Sequence, residues 1–111
     1  MPTSNMTLNA CGGEKISNPT NRQIRRALES LNVAKNGEGF VILGPDDMNY
    51  VQASGDKKIG FDLEYQEADT GHHYRAKREN FTVEEVLSAL SNYRDGKPAW
   101  KAVAEWEKIT W

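Results

Sequence analysis

Only one cysteine occurs among the 111 residues, Cys11, so no intrachain disulfide can form. Beside Gly12 and Gly13 in a polar stretch, it reads as a free thiol. No segment approaches the roughly 20 apolar residues that a membrane helix needs. The opening "MPTSNMTLNACGGEK" lacks the basic and apolar regions of a signal peptide, and the hydrophobic stretch that a lipoprotein site at "LNACGG" would require is missing as well. A cytoplasmic protein with no membrane partner is the expectation. An excess of either charge is also lacking. Lys and Arg number 14 against 16 Asp and Glu, a net charge of -2, which offers no general attraction to nucleic acid. The basic residues are scattered and balanced by nearby acids, without the stacking aromatics of a nucleic-acid face.

Several chemical signatures are missing too. No H-x-x-x-H or C-x-x-C spacing announces a metal site, and no nucleophile elbow or Gly-rich phosphate loop occurs. "LGPDDMN" joins a Gly-Pro turn to Asp46 and Asp47, acids that would repel a phosphate. The residues therefore imply no cofactor and no metal. Repeats and low-complexity tracts are lacking as well.

What is there is one domain's worth of patterned chain, since a typical domain holds about 100–150 residues. Residues 1–17 are polar and non-periodic, and read as a flexible leader before a single domain over 18–111. "SNPTNRQIRRALESLN" opens a helix: Thr20 is the N-cap, Gln23 completes a capping box, Pro19 staples to Ile24, and Ile24, Ala27, Leu28 and Leu31 form the buried stripe. Arg22, Arg25, Arg26 and Glu29 fall off it. A second helix starts at Thr82 with Glu85 completing its capping box and Phe81 stapling to Val86. Its core face is Val83, Val86, Leu87, Leu90 and Tyr93, and Gly96 and Pro98 end it. Strands are predicted near 39–43, 48–53, 58–66 and 72–77. In "AWKAVAEWEKITW" a short helix followed by a terminal strand fits Trp100, Val103 and Ala104 at helical spacing and Glu107, Ile109 and Trp111 in alternation. The expected fold is α+β: an antiparallel sheet of about four or five strands with two or three helices on one face.

The third strand is the clearest, because Ile59, Phe61, Leu63 and Tyr65 alternate with Gly60, Asp62, Glu64 and Gln66. With "ADTG" as the hairpin loop, Gln66 stands opposite His73, Glu64 opposite Arg75 and Asp62 opposite Lys77, while Tyr65 and Tyr74 are buried. The adjacent His72 and His73 then point to opposite faces and cannot grip one metal ion together. The wet face carries Asp62, Glu64, Gln66, His73, Arg75 and Lys77, and the turns beside it add Asp46, Asp47, Asp56, Glu67 and Asp69. Such an array suits a protein partner, because opposed charges steer association and fix specificity. Three other uses stay open on these residues: a solvated face without a partner, a small enzyme using His72 or His73 with Asp62 or Glu64, and a homodimeric structural protein joined through edge strands or tryptophans. The oligomeric state is not legible.

The stretch "FTVEEVLSALSNYRDGKPAWKAVAEWEKI", following "GFDLEYQEADTGHHYRA", resembles small bacterial immunity proteins of polymorphic toxin systems, especially immunity family one. Thr82, Glu84, Glu85, Val86, Tyr93, Gly96, Pro98 and Trp106 carry the likeness: a capped helix, a Gly-Lys-Pro break and a late tryptophan. The resemblance implies a protein without catalysis of its own that binds and neutralises a cognate toxin made by the same cell.

Overall fold

Both long helices begin where their caps put them. The computed structural model describes residues 6–10, 15–36 and 39–110, and in it the Thr20 hydroxyl accepts the Gln23 N–H at 3.2 Å while the Gln23 side chain accepts the Thr20 N–H at 2.9 Å. Thr82 and Glu85 repeat this reciprocal pair at 3.2 and 2.9 Å. The first pair starts α1 (Asn21–Ser30) and the second starts the longer helix Val83–Arg94. Between them in the chain lies the single-turn helix α2 (Val33–Asn36), so Val83–Arg94 is α3. A 3₁₀ turn, Pro98–Val103, follows.

Seven antiparallel strands form one sheet among the described residues: β1 (Thr7–Ala10), β2 (Lys15–Ser17), β3 (Phe40–Gly44), β4 (Tyr50–Asp56), β5 (Gly60–Gln66), β6 (His73–Ala76) and β7 (Trp106–Ile109). They lie in the order β2-β1-β3-β4-β5-β6-β7. The centre, β3 to β6, is a meander, the β1–β2 hairpin extends one side and β7 the other. The helices cover one face. Ile24 and Leu28 of α1, with Val86, Ala89 and Leu90 of α3, bury against Leu8, Val41, Leu43, Val51, Ala53, Phe61 and Leu63 of the sheet. Arg94 clamps the two helices by donating to the Pro19 carbonyl at 3.1 Å and to Asn21 Oδ1 at 2.6 Å, and the Arg25 guanidinium pairs with Glu84.

The α+β class with an antiparallel sheet holds, but the counts are larger than expected: seven strands and four helices among the described residues. Two of the extra strands lie in the stretch read as a flexible leader. Leu8 sits opposite Ile16 on one side and Leu43 on the other, and both Met6 and Leu8 are buried, so residues 6–10 and 15–17 belong to the domain. Strands of three and four residues carry too few positions for alternation to register, and pairing supplies what local pattern does not. Cys11 and Trp111 lie outside the described residues.

α1 stops at Ser30, and its backbone turns extended at Leu31. The Asp56 carboxylate, at the end of β4, then accepts the Val33 N–H at 2.8 Å where α2 starts. At the far side, the 3₁₀ turn brings Trp100 under the sheet. Tyr65 stacks on Tyr74 with ring centroids 4.9 Å apart, and Trp100 and Trp106 meet Tyr65 edge-on at 4.9 and 4.8 Å. The tryptophans thereby help close the core beneath β5 to β7.

Candidate functional site

The face of the sheet turned away from the helices follows from the period of two. Where Val51, Ala53, Leu63 and Tyr65 point into the core, their neighbours point out. The register aligns these outward residues in rows: Tyr50 with Gln66, His73 and Ile109; Gln52 with Glu64, Arg75 and Glu107; Ser54 with Asp62. The predicted hairpin register is therefore observed, with Gln66 opposite His73 and Glu64 opposite Arg75. The pairing of Asp62 with Lys77 is not. β6 stops at Ala76, the Lys77 N–H turns to the Glu105 carbonyl at 2.9 Å, and Phe81 takes the place beside Phe61 through two hydrogen bonds of 2.9 Å.

The ionic partners are not the Glu64–Arg75 pair that the hairpin register sets opposite each other. Arg75 donates to Glu107 on β7 at 3.0 Å, while Glu64 reaches diagonally to His73, Oε1 to Nε2 at 2.7 Å. His73 Nδ1 lies 3.1 Å from Gln66 Oε1. Gln66 in turn donates from Nε2 to the Met48 carbonyl at 3.1 Å, and the Tyr50 hydroxyl donates to Gln66 Oε1 at 3.5 Å. Gln66 and His73 stand on the outward face as expected, yet each is only 4% exposed. They form a buried polar layer within that face. His72 falls just before β6, exposed, with Nδ1 2.8 Å from Asp69 Oδ1.

The turn Pro45–Asn49 is built by its own acid. Asp46 Oδ1 accepts the N–H groups of Met48 and Asn49 at 2.8 and 2.9 Å, and the Asn49 amide donates to it at 3.1 Å. The Asn49 side chain, followed by these backbone donors, holds the Asp46 carboxyl below its ordinary range. Asn49 Oδ1 accepts the Ala68 N–H at 2.9 Å, which ties this turn to the 67–72 hairpin loop. Asp47 projects beside it, exposed. Asp62 is also exposed, and its carboxyl is raised above its ordinary range by partial burial first, then by Glu79 and Glu64, with Arg75 opposing.

Of the residues singled out in the sequence, Asp62, Glu64, Gln66, His73 and Arg75 share this face and Asp46 and Asp47 border it. Alternation along "YVQASGD" was signal enough to add Tyr50, Gln52 and Ser54. Ile59, which the alternation placed on the buried side of the third strand, is instead 58% exposed, because β5 begins only at Gly60 and Ile59 lies in the turn whose N–H groups bond Asp56. Met48 and Glu79 carry no such signal, because turns and tertiary neighbours set their positions. Among the described residues, no group of three or more His, Cys, Asp or Glu could hold a metal ion, and no helix is long and apolar enough to cross a membrane. Set against family models, curated proteins and solved structures, the chain matches none.

Proposed function

We propose that this chain is a non-catalytic binding protein whose protein partner docks on the open face of β3 to β6. The partner, following the resemblance to immunity proteins, is a toxin made by the same cell. One observation carries the reading. Met48 and Ile59, 45% and 58% exposed, are the exposed large hydrophobic residues among those described, and they bracket the two ends of this face. β4 runs between them for seven residues, or about 20 Å at roughly 3.3 Å per residue. Two apolar anchors at the ends of a polar array fit the anatomy of a protein interface of about 800 Å² per partner.

The polar layer underneath supports this use. Gln66, His73, Glu64 and Tyr50 are locked to one another, so the surface above them is preorganised and loses little freedom on binding. The His73–Glu64 pair is the one an acid–base enzyme would employ. With both ring nitrogens engaged and a side chain only 5% exposed, His73 presents no free nitrogen to a substrate, which favours the binding role.

Co-expression with the product of the adjacent upstream gene tests the proposal, with growth rescue and a co-purifying complex expected. Met48→Asp and Ile59→Asp should each weaken that complex tenfold or more while leaving the melting temperature nearly unchanged. No rescue and no complex, with folded protein in hand, would overturn the toxin assignment. A complex indifferent to both substitutions would move the interface off this face.

A further inference from the structure

At the Ile59 end the open face is not flat. A cavity of about 520 Å³ opens there, walled by Phe40 and Ile59, with Ser54 and Asn80 as polar lining and the carboxylates of Asp62 and Glu79. That volume lies within the roughly 300–1,000 Å³ of small-ligand sites. No lysine or arginine is among its lining residues.

Several other acids of the chain have cationic partners. Glu84 is matched to Arg25, Glu85 to Arg78, Glu107 to Arg75, Asp95 to Arg94 and Glu67 to Lys101. Asp62 and Glu79 enter no salt bridge among the described residues. Two carboxylates thus stand beside an aromatic wall whose lining holds no cation, Glu79 helps to push the Asp62 carboxyl upward, and the one cation that opposes this, Arg75, is already engaged by Glu107. A cation placed between them would offset that push.

The cavity is also preformed. Gly60 has φ +89°, and a Cβ there would lie 2.7 Å from the Asn80 Cα, so only glycine lets the two segments approach. Asn80 itself has φ 63° and leads into the paired hydrogen bonds between Phe61 and Phe81. Glu79 is therefore carried to the cavity by backbone that has little freedom to withdraw.

We propose that this cavity receives one arginine side chain of the protein partner, its guanidinium lying between Asp62 and Glu79 with its planar face toward Phe40. The inference rests on the docking reading above and gives that partner its chemistry. Arginine suits the site better than lysine. Its planar fork serves two carboxylates at once, its weaker hydration eases entry past apolar walls, and it stacks on an aromatic ring.

The test uses the ¹⁵N-labelled full chain titrated with N-acetyl-arginine amide and, separately, with its uncharged isostere N-acetyl-citrulline amide. Arginine should shift the amides of Ile59, Gly60 and Asn80 saturably, with citrulline at least fivefold weaker. The response should vanish in the double variant Asp62→Asn, Glu79→Gln and persist in Glu105→Gln. No shift, an equal response to citrulline or to N-acetyl-lysine amide, or shifts centred elsewhere would overturn the inference. A captured partner adds a second arm, in which the double variant should bind at least tenfold more weakly. A partner that binds the double variant at full strength overturns the arginine site and leaves the docking face standing. Failure to capture any partner counts against docking, and the small-molecule titration still reads the cavity by itself.

Discussion

Glu64 reaches past its directly opposite neighbour to bond His73 on β6, Oε1 to Nε2 at 2.7 Å, and so helps seat a histidine that is almost wholly covered. Removing that ring strips partners from Glu64 and Gln66 at once. His73→Ala should cost about 1–3 kcal/mol, the usual penalty for polar groups left unsatisfied beneath a surface. His72→Ala, at an exposed position, should stay within about 0.5 kcal/mol of the parent. Urea denaturation of the two variants checks this. Equal effects would mean that the two histidines are not distinguished as described.

The helix-on-sheet core gives a graded expectation. Leu63 is fully buried and Leu87 is 8% exposed on the α3 side of the same core. Leu63→Ala should cost about 2–5 kcal/mol and Leu87→Ala should fall toward the lower end of that range. A loss under about 1 kcal/mol at Leu63 would contradict its burial.

Acid should act through Asp56. Its carboxylate accepts the Ile59, Val33 and Lys58 N–H groups at 3.0, 2.8 and 2.9 Å, and these donors, Ile59 foremost, hold it below its ordinary range. With a depressed folded value, the stabilisation is full above the unfolded pKa of about 3.9 and is lost as pH falls through the folded one. Asp56→Ala should therefore melt well below the parent at pH 7, and the gap should narrow below about pH 4. A gap independent of pH would assign the effect to packing instead.

Alkali should act through Tyr93, whose hydroxyl is pushed up to about 12, by burial first and then by Glu67 and Asp46. Here the folded state holds its proton more tightly than the unfolded chain. The stabilisation is complete below about pH 10 and is lost as pH rises toward 12. Burial also raises the hydroxyls of Tyr50 and Tyr65, so an absorbance titration of the phenolates should show several late ionisations, of which the latest disappears in Tyr93→Phe. A Tyr93→Phe titration identical to the parent would refute the assignment.

Local chemistry by itself determined the two capped helices, the alternating β5 strand and the β5–β6 register, because each is written in residues no more than a few positions apart or in one tight loop. Thr20 with Gln23, Thr82 with Glu85, and "ADTG" between two alternating runs needed no distant partner to be read. The same alternation put Asp62, Glu64, Gln66, His73 and Arg75 on one face. Tertiary structure alone decided how deep each would lie. His73 is covered where the ring of Tyr50, 23 positions earlier in the chain, meets it edge-on and where Gln66, itself tied to the Met48 carbonyl, bonds its Nδ1. Only three-dimensional pairing could recruit "TLNA" and "KIS" to the sheet: Leu8 is buried by sitting between Ile16 and Leu43, not by any pattern of its own. The cavity beside Asp62 has the same origin, since Gly60 must approach Asn80 before Glu79 can stand across from it. Periodicity tells which way a side chain points, whereas burial and charge compensation depend on what the rest of the chain brings to meet it.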